Sequence, residues 1–357
     1  MKAAASAIDE AKLEQFMGQA VTDMGAAMNG VLVLIGGELG LWKAMAGGGA
    51  MTAAEVAERS GVRERYVREW LSAQAASGYV EYDADADTFR LPPEQAMAFA
   101  HEDSPVFVLG GYHVVGSAFK DAGKIAERFR SGEGFGWHEH DPQLFLGTEQ
   151  FFRPGYQAHL VSEWIPALEG VEAKLKQGGK AADVGCGHGV STFLMAKAYP
   201  NSTIHGFDYH DASIARARKL AQAEGVSENT EFEVAAAKDF PGEDYDLVCF
   251  FDCLHDMGDP VGAMRHVRET LDDDGTVMLV EPFAADSLPD NLNPVGRIYY
   301  AASTLICTPS SLSQEVGLGL GAQAGEKRLR DVAEEAGFTR FRRATETPFN
   351  LVLEARP

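Results

Sequence analysis

Cysteine is scarce in this chain. Its 357 residues hold only four, Cys186, Cys249, Cys253 and Cys307, with no CxxC spacing among them. That excludes a disulfide framework and reads as reduced thiols of a cytoplasmic protein. Positive charge is also short: 31 Lys and Arg stand against 53 Asp and Glu, a net charge of −22. A nonspecific nucleic-acid binder needs a basic footprint to displace counterions from phosphate, and docking on anionic lipid needs one too. Long apolar runs are missing. The longest, Val31 to Ile35, is far below the roughly 18–20 residues of a spanning helix, so no membrane segment is expected. Met1 to Ala7 has one lysine and no apolar stretch, which does not read as a secretory leader. Neither internal repeats nor low-complexity segments stand out. The 24% of charged residues and 45% of hydrophobic ones are globular values and exclude wholesale disorder.

What is present divides into three stretches: a helical N-terminal domain over 1–95, a helical connector over 96–170, and an α/β domain over 171–357. Residues 9–29 are helix-prone, with Phe16, Ala20 and Met24 on one stripe, and Leu32 to Ala46 forms a second apolar segment. Thr52 can cap a helix starting near Ala53, with Glu55 as its capping-box partner. Gly61 breaks that helix. Arg63 to Ser77 makes the next one, with Val67, Trp70, Leu71 and Ala75 on one face. Tyr79–Tyr82 and Thr88–Leu91 then alternate like two short strands. Helix, turn, helix and hairpin is the order of a winged helix. From Thr52 to Pro92 there are five basic and eight acidic residues, and the hairpin tip carries Asp83, Asp85 and Asp87 where a DNA-binding wing would meet phosphate. The electrostatics favour a dimerisation or substrate-lid role over DNA reading. The apolar run at 31–42 points to a homodimer through the N-terminal helices. The connector is rich in aromatics, among them Phe107, Phe135, Trp137, Tyr156 and Trp164. Most fit core packing, and a minority could line an apolar substrate pocket.

From Lys180 onward strands and helices alternate. Strands are expected at 181–184, 203–207, 231–235, 245–251 and 276–281, with helices at 191–199, 212–224 and 261–271. A helix at 326–336 and strands at 338–343 and 349–355 close the chain. This rhythm predicts a doubly wound, mostly parallel sheet with ligands at the carboxyl ends of its strands.

The first strand–turn–helix carries Asp183-Val-Gly185-Cys-Gly187-His-Gly189. Glycines are needed where a chain turns tightly and lets a ligand touch its backbone. The spacing is GxGxG, with Ser191 where the NAD-type fingerprint has its last glycine. The second strand ends at Phe207-Asp208-Tyr209, placing Asp208 where a carboxylate can take both ribose hydroxyls. After the third comes Ala237-Lys238-Asp239-Phe240. A side chain there can bond an adenine amino group, with an apolar neighbour against the ring.

These residues resemble the class I S-adenosylmethionine-dependent methyltransferases, whose Rossmann-like domain is a mostly parallel seven-stranded sheet. With its winged helix the chain is similar to dimerisation-domain O-methyltransferases of small molecules, and more closely to a bacterial winged-helix methyltransferase family known from mycobacteria. The resemblance implies S-adenosyl-L-methionine as donor. It implies that Gly185, Gly187 and Gly189, with Asp183, hold the methionine part, Asp208 the ribose, and Asp239 the adenine. Lys238, Phe240 and Tyr209 are then adenine-side neighbours, and Asp252 faces the cofactor or its amino group.

The fourth strand leads into Asp252-Cys-Leu-His255-Asp256-Met257-Gly-Asp259, which resembles the LHDWxD signature of those O-methyltransferases. There the histidine is general base on the acceptor hydroxyl. A neutral imidazole oriented by a carboxylate suits that task, and Glu281 at the end of the next strand matches the acid flanking the base. Met257 replaces the signature tryptophan, and the second flanking acid has no counterpart in 319–326. N-, S- or C-methylation stays open, as does a metal-assisted C-methyltransferase using His255, Asp256 and the run Trp137-His138-Glu139-His140-Asp141. No metal ligand set is assigned. The other open readings are a cofactor-sensing transcriptional regulator and an NAD-linked oxidoreductase. The expected partner is a small molecule, and Pro282 to Thr308 is expected to help select it.

Overall fold

The computed structural model describes residues 8–357, so the reading of Met1 to Ala7 as no leader lies outside the described residues. The chain divides into two compact units. The first holds the residues up to Gly116 with Gln143–Pro154, and the second holds Ser117–Pro142 with Gly155–Pro357.

The first unit opens with one 29-residue helix, α1 (Glu10–Glu38), where the sequence suggests two. Asp9 caps it by accepting from the Lys12 amide at 3.2 Å. Its glycines do not break it, because one of them is needed for packing: a Cβ at Gly36 would stand 2.6 Å from both Trp42 and Trp70. The turn comes at Gly40, with φ +68°, and leads into α2 (Leu41–Met45). The two indoles then donate to α1 carbonyls, Trp42 to Val33 at 3.1 Å and Trp70 to Leu32 at 2.8 Å. Burying an indole N–H without a partner would cost free energy, so these bonds fix where the helix lies. One 18-residue window of α1 has a mean hydropathy of 1.4, so by length and composition the helix is apolar enough to cross a membrane even though no unbroken apolar run in it is long.

The winged helix follows. Strand β1 (Ala50–Met51) leads to α3 (Ala53–Ser60), which starts in the expected capping box: Glu55 accepts from the Thr52 amide at 2.7 Å, and Thr52 Oγ1 accepts from the Glu55 amide at 3.3 Å. Next come α4 (Glu64–Ala76), β2 (Glu81–Asp83) and β3 (Thr88–Arg90), in a small sheet ordered β1-β3-β2. The two-residue β1 is too short to show in the sequence. Val67, Trp70 and Leu71 are buried as the helical period requires. Trp42 stacks on Phe99 of α5 (Pro93–Phe99) with centroids 4.7 Å apart. Helices α6 (Leu109–Ser131) and α7 (Gln143–His159) follow.

In the second unit, α8 (Val171–Gln177) precedes the alternating part. Its elements are β4 (Lys180–Val184), α9 (Val190–Ala198), β5 (Thr203–Asp208), α10 (Asp211–Glu224), β6 (Thr230–Val234), β7 (Tyr245–Phe251), α11 (Pro260–Thr270) and β8 (Leu271–Pro282). Helices α12 (Pro294–Ala302), α13 (Thr308–Leu312) and α14 (Gly325–Glu335) lead to β9 (Arg340–Glu346) and β10 (Asn350–Arg356). The seven-stranded sheet runs β6-β5-β4-β7-β8-β10-β9. Its first five strands are parallel, and β10 is antiparallel to both β8 and β9. Central strands such as β7 read as continuous apolar runs because both faces are covered. The strand order reverses between β4 and β7, and there an open α/β sheet leaves a crevice at its carboxyl edge.

Candidate active site

The turn between β4 and α9 has all three glycines at positive φ: Gly185 at +78°, Gly187 at +53° and Gly189 at +87°. Two of them are also sterically required. A Cβ at Gly185 would lie 2.8 Å from Cys253 Sγ, and one at Gly189 would lie 2.8 Å from the Phe193 ring. A Cβ at Gly187 would meet nothing within 4 Å, so the backbone there faces open space. Asp183 is fully buried beneath the turn. Its Oδ2 accepts from Ser191 Oγ at 2.6 Å and from Thr192 Oγ1 at 2.7 Å, while its Oδ1 has no partner. Burial pushes its carboxyl up to about 6, against the pull of those hydroxyls.

Asp208, the last residue of β5, accepts from the Gly187 amide at 2.9 Å through Oδ2 and from the His210 amide at 2.8 Å through Oδ1. One carboxylate thus ties the glycine turn to the start of α10. Each oxygen keeps a second lone pair for a ligand hydroxyl. Tyr209 is half exposed, its ring 6.4 Å from that of His138. Lys238 pairs with Asp259 at 3.2 Å and Glu315 at 3.1 Å. Asp239 is exposed and accepts from the Ala236 amide at 3.1 Å. Phe240 departs from expectation. It is 1% exposed and stacks on Phe207 with centroids 5.0 Å apart, inside the core beneath the sheet, so its ring has no open face for adenine.

At the end of β7, Asp252 takes φ +51° while its amide donates to the Val280 carbonyl of β8 at 2.7 Å. Tyr156 Oη donates to its Oδ2 at 2.8 Å and Asn350 Nδ2 to its Oδ1 at 2.9 Å. Burial, followed by the charge of Glu281, pushes Asp252 up to about 8. Burial also raises Asp256, to about 7.

His255 and Glu281 meet as the sequence suggests. His255 lies in a 3-10 turn, Leu254–Asp256, and is 3% exposed; Glu281 is 1% exposed. His255 Nδ1 is 2.5 Å from Glu281 Oε2, and Glu281 Oε1 accepts from the Leu254 amide at 3.1 Å. Burial pushes the imidazole down, but the Glu281 charge and the contacts with Cys307 and Glu281 outweigh it, and the net direction is upward. His255 Nε2 is not open: Cys307 Sγ stands 3.3 Å away.

The sequence did not reveal Cys307, Tyr156 or Asn350, which lie outside its motifs and reach the site only through the fold. His140 is bonded through Nδ1 to Asp121 at 3.0 Å. Among the described residues, no group of three or more His, Cys, Asp or Glu side chains is arranged to hold a metal ion.

Three of these features fit a cationic, ribose-bearing donor. They are the open backbone at Gly187, the spare lone pairs of Asp208, and the carboxyls of buried Asp183 and half-buried Asp252 and Asp256, which a positive charge would help to ionise. Comparison with known proteins agrees. A methyltransferase-domain family model matches residues 175–337, and an Rv2258c-like winged HTH domain matches 27–101. The 27-O-demethylrifamycin SV methyltransferase of Amycolatopsis mediterranei is 29% identical over 171 residues, 46% of this chain and 55% of that protein. The chain spans between 5% and 55% of the length of the curated relatives it matches. Human N-acetylserotonin methyltransferase, solved with S-adenosylmethionine, superposes with a TM-score of 0.68 at 16% identity over 99% of each chain. An O-methyltransferase from neocarzinostatin biosynthesis, solved with S-adenosylmethionine and 2-hydroxy-5-methyl naphthoic acid, does so with a TM-score of 0.62 at 18% identity, over 98% of this chain and 99% of that one. At these identities the structural likeness is one of fold. By its matched domains and its sheet, the chain carries an Rv2258c-like winged HTH domain followed by a methyltransferase domain, on the fold shared by these methyltransferases.

Proposed function

We propose that this protein methylates a hydroxyl on a small apolar or aromatic acceptor, with His255 as general base and Glu281 as the carboxylate that orients it. The observation that carries this reading is the 2.5 Å contact between His255 Nδ1 and Glu281 Oε2. It leaves Nε2, now faced by Cys307 Sγ at 3.3 Å, as the nitrogen that takes the acceptor proton once the acceptor hydroxyl stands in place of the thiol. The bound donor supplies a methyl group already activated on a sulfonium. The chain's own work is to hold the reactants in line, exclude water and remove one proton. Asp208 holds the ribose in this reading, with Asp239 and Tyr209 on the adenine side. Asp252, braced by Tyr156 and Asn350, faces the donor's ammonium. The connector over 96–170 serves as substrate lid. The naphthoic acid held by the neocarzinostatin enzyme supports an aromatic acceptor by analogy of fold.

The test separates binding from turnover. Asp208→Ala is expected to abolish S-adenosylhomocysteine binding in calorimetry. His255→Gln is expected to keep that binding and to slow methyl transfer by about 10²–10⁴-fold. Full turnover in His255→Gln, assayed against a panel of hydroxylated aromatics, would remove the base assignment.

We also infer a cytoplasmic homodimer. Met17, Val21, Met24, Met28, Val31 and Ile35 of α1 are all exposed, and they are spaced in alternating steps of four and three, the period of a coiled-coil seam. The motivating run at 31–42 serves partly as core, since Val33, Leu41 and Trp42 are buried. The bonds from Trp42, Trp70 and Gln74 to the C-terminal half of α1 favour this over a membrane role for that helix. DNA reading is disfavoured by the pairing of Arg68 with Asp87 at 3.2 Å and of Arg65 with Glu69 at 2.5 Å.

A further inference from the structure

We propose that Cys307 is an activated thiol, set by the His255–Glu281 pair as the site where soft electrophiles modify this protein. Cys307 closes the π-helical turn Ser303–Cys307, between α12 and α13. Its Sγ lies 3.3 Å from His255 Nε2, and the other ring nitrogen lies 2.5 Å from Glu281 Oε2. Thiol, imidazole and carboxylate therefore form one hydrogen-bonded chain. All three are buried, with Cys307 the most accessible at 8% exposed. That order is the one that turns a weak nucleophile into a strong one: the carboxylate orients the ring and supports its positive charge, and the ring takes the thiol proton.

The surroundings agree. Glu281 faces His255 from β8, Asp256 neighbours it in the same turn, and Asp252 approaches from the end of β7. From α12, Tyr299 is the titratable neighbour of Cys307; its hydroxyl donates to the Phe349 carbonyl at 2.9 Å, and burial keeps the phenol neutral. Of these groups, His255 is the one that brings positive charge to the sulfur. The other three cysteines have no such partner. Cys253 Sγ donates to the Val184 carbonyl at 3.2 Å, Cys186 Sγ approaches the Gly187 carbonyl at 3.9 Å, and Cys249 is fully buried in β7. Burial pushes all three thiols well up.

The reaction is a simple displacement. With iodoacetamide, the Cys307 sulfur attacks the methylene carbon, the C–S bond forms as the C–I bond breaks, iodide leaves, and the thiol proton stays on His255 Nε2. The new thioether then stands where a methyl acceptor would have to place its hydroxyl. Only that last consequence rests on the reading of His255 as base; the thiol's activation rests on the contacts alone.

The experiment is iodoacetamide labelling of the folded, full-length protein from pH 5.5 to 9.5, read by intact mass and peptide mapping. The expected result is a single adduct on Cys307, formed at pH 7 about tenfold or more faster than any adduct on Cys186, Cys249 or Cys253. His255→Gln is expected to slow labelling at pH 7 about tenfold or more. Cys307→Ser is expected to take no label and to keep its S-adenosylhomocysteine affinity. Labelling spread over all four cysteines, or a Cys307 rate at pH 7 no faster than that of the other three, would overturn the proposal, and neither result needs a variant to fold. Methyl transfer by the labelled protein is a separate readout: retained turnover sinks the base assignment and leaves the thiol result standing.

Discussion

Phe240 follows Asp239 in the loop after β6, where sequence position alone suggests an adenine wall. Its ring instead packs against Phe207, and His266 Nε2 donates to its carbonyl at 2.8 Å. The two roles give different mutants. Phe240→Leu is expected to cost about 1–2 kcal/mol of stability in urea, as a shape change inside a packed core does. Its S-adenosylhomocysteine affinity, measured by calorimetry, should stay within about twofold of wild type. A tenfold weakening with little loss of stability would return Phe240 to the cofactor. The case shows what sequence can deliver at this scale. The placement of Asp208 at the end of β5, Gly187 in the glycine turn and His255 beyond β7 was legible because a motif with fixed spacing carries it. The direction of Phe240 and the approach of Cys307 to the imidazole depend on contacts between residues far apart in the chain, and no local pattern encodes them.

Secondary elements were legible where pattern and punctuation agree. The capping box at Thr52 and Glu55 fixed the start of α3, and the ends of the sheet's strands fell within five residues of expectation, those of β7 without any offset. The N-terminal helix was read as two segments, 9–29 and 32–46, where the structure has one helix running through to Glu38. Gly30 and Gly36 sit inside α1, and Gly36 is there because two tryptophans pack against it. Joining the two segments turns scattered apolar residues into one continuous seam on a helix that no sequence window had shown whole. The seam carries its own test. Val21→Glu with Met28→Glu places charge on two exposed seam positions without touching the buried contacts of Val33. Light scattering should give a dimer mass for the wild type at micromolar concentration and a monomer mass for the double variant. A wild-type monomer would leave the seam without this role.

Charge acts on the whole molecule. The folded chain holds Asp183, Asp252 and Asp256 at about 6, 8 and 7, all above the usual carboxylate range and chiefly through burial. A carboxyl raised on folding stabilises the protein fully below its unfolded value, and that contribution is lost as pH rises through the folded value. Three such groups therefore withdraw stability across pH 4 to 8. His113, His140 and His205 act in the opposite sense. Burial lowers them, so the unfolded chain binds protons the folded one refuses, and stability falls as pH drops below the ordinary imidazole range. The net charge of −22 adds self-repulsion that grows as histidines lose their protons. Together these place the stability maximum of the free protein on the acid side of neutrality, with Tm declining toward pH 9 in calorimetry. A cationic donor in the crevice favours the ionised carboxyls, so its binding at pH 7 is expected to release protons. Titrations in phosphate and in Tris, whose ionisation enthalpies differ widely, should then give different apparent binding enthalpies, with the sign of proton release. Equal enthalpies in the two buffers would mean that these carboxyls do not change protonation when the donor binds, and the electrostatic account of the crevice would fail with them.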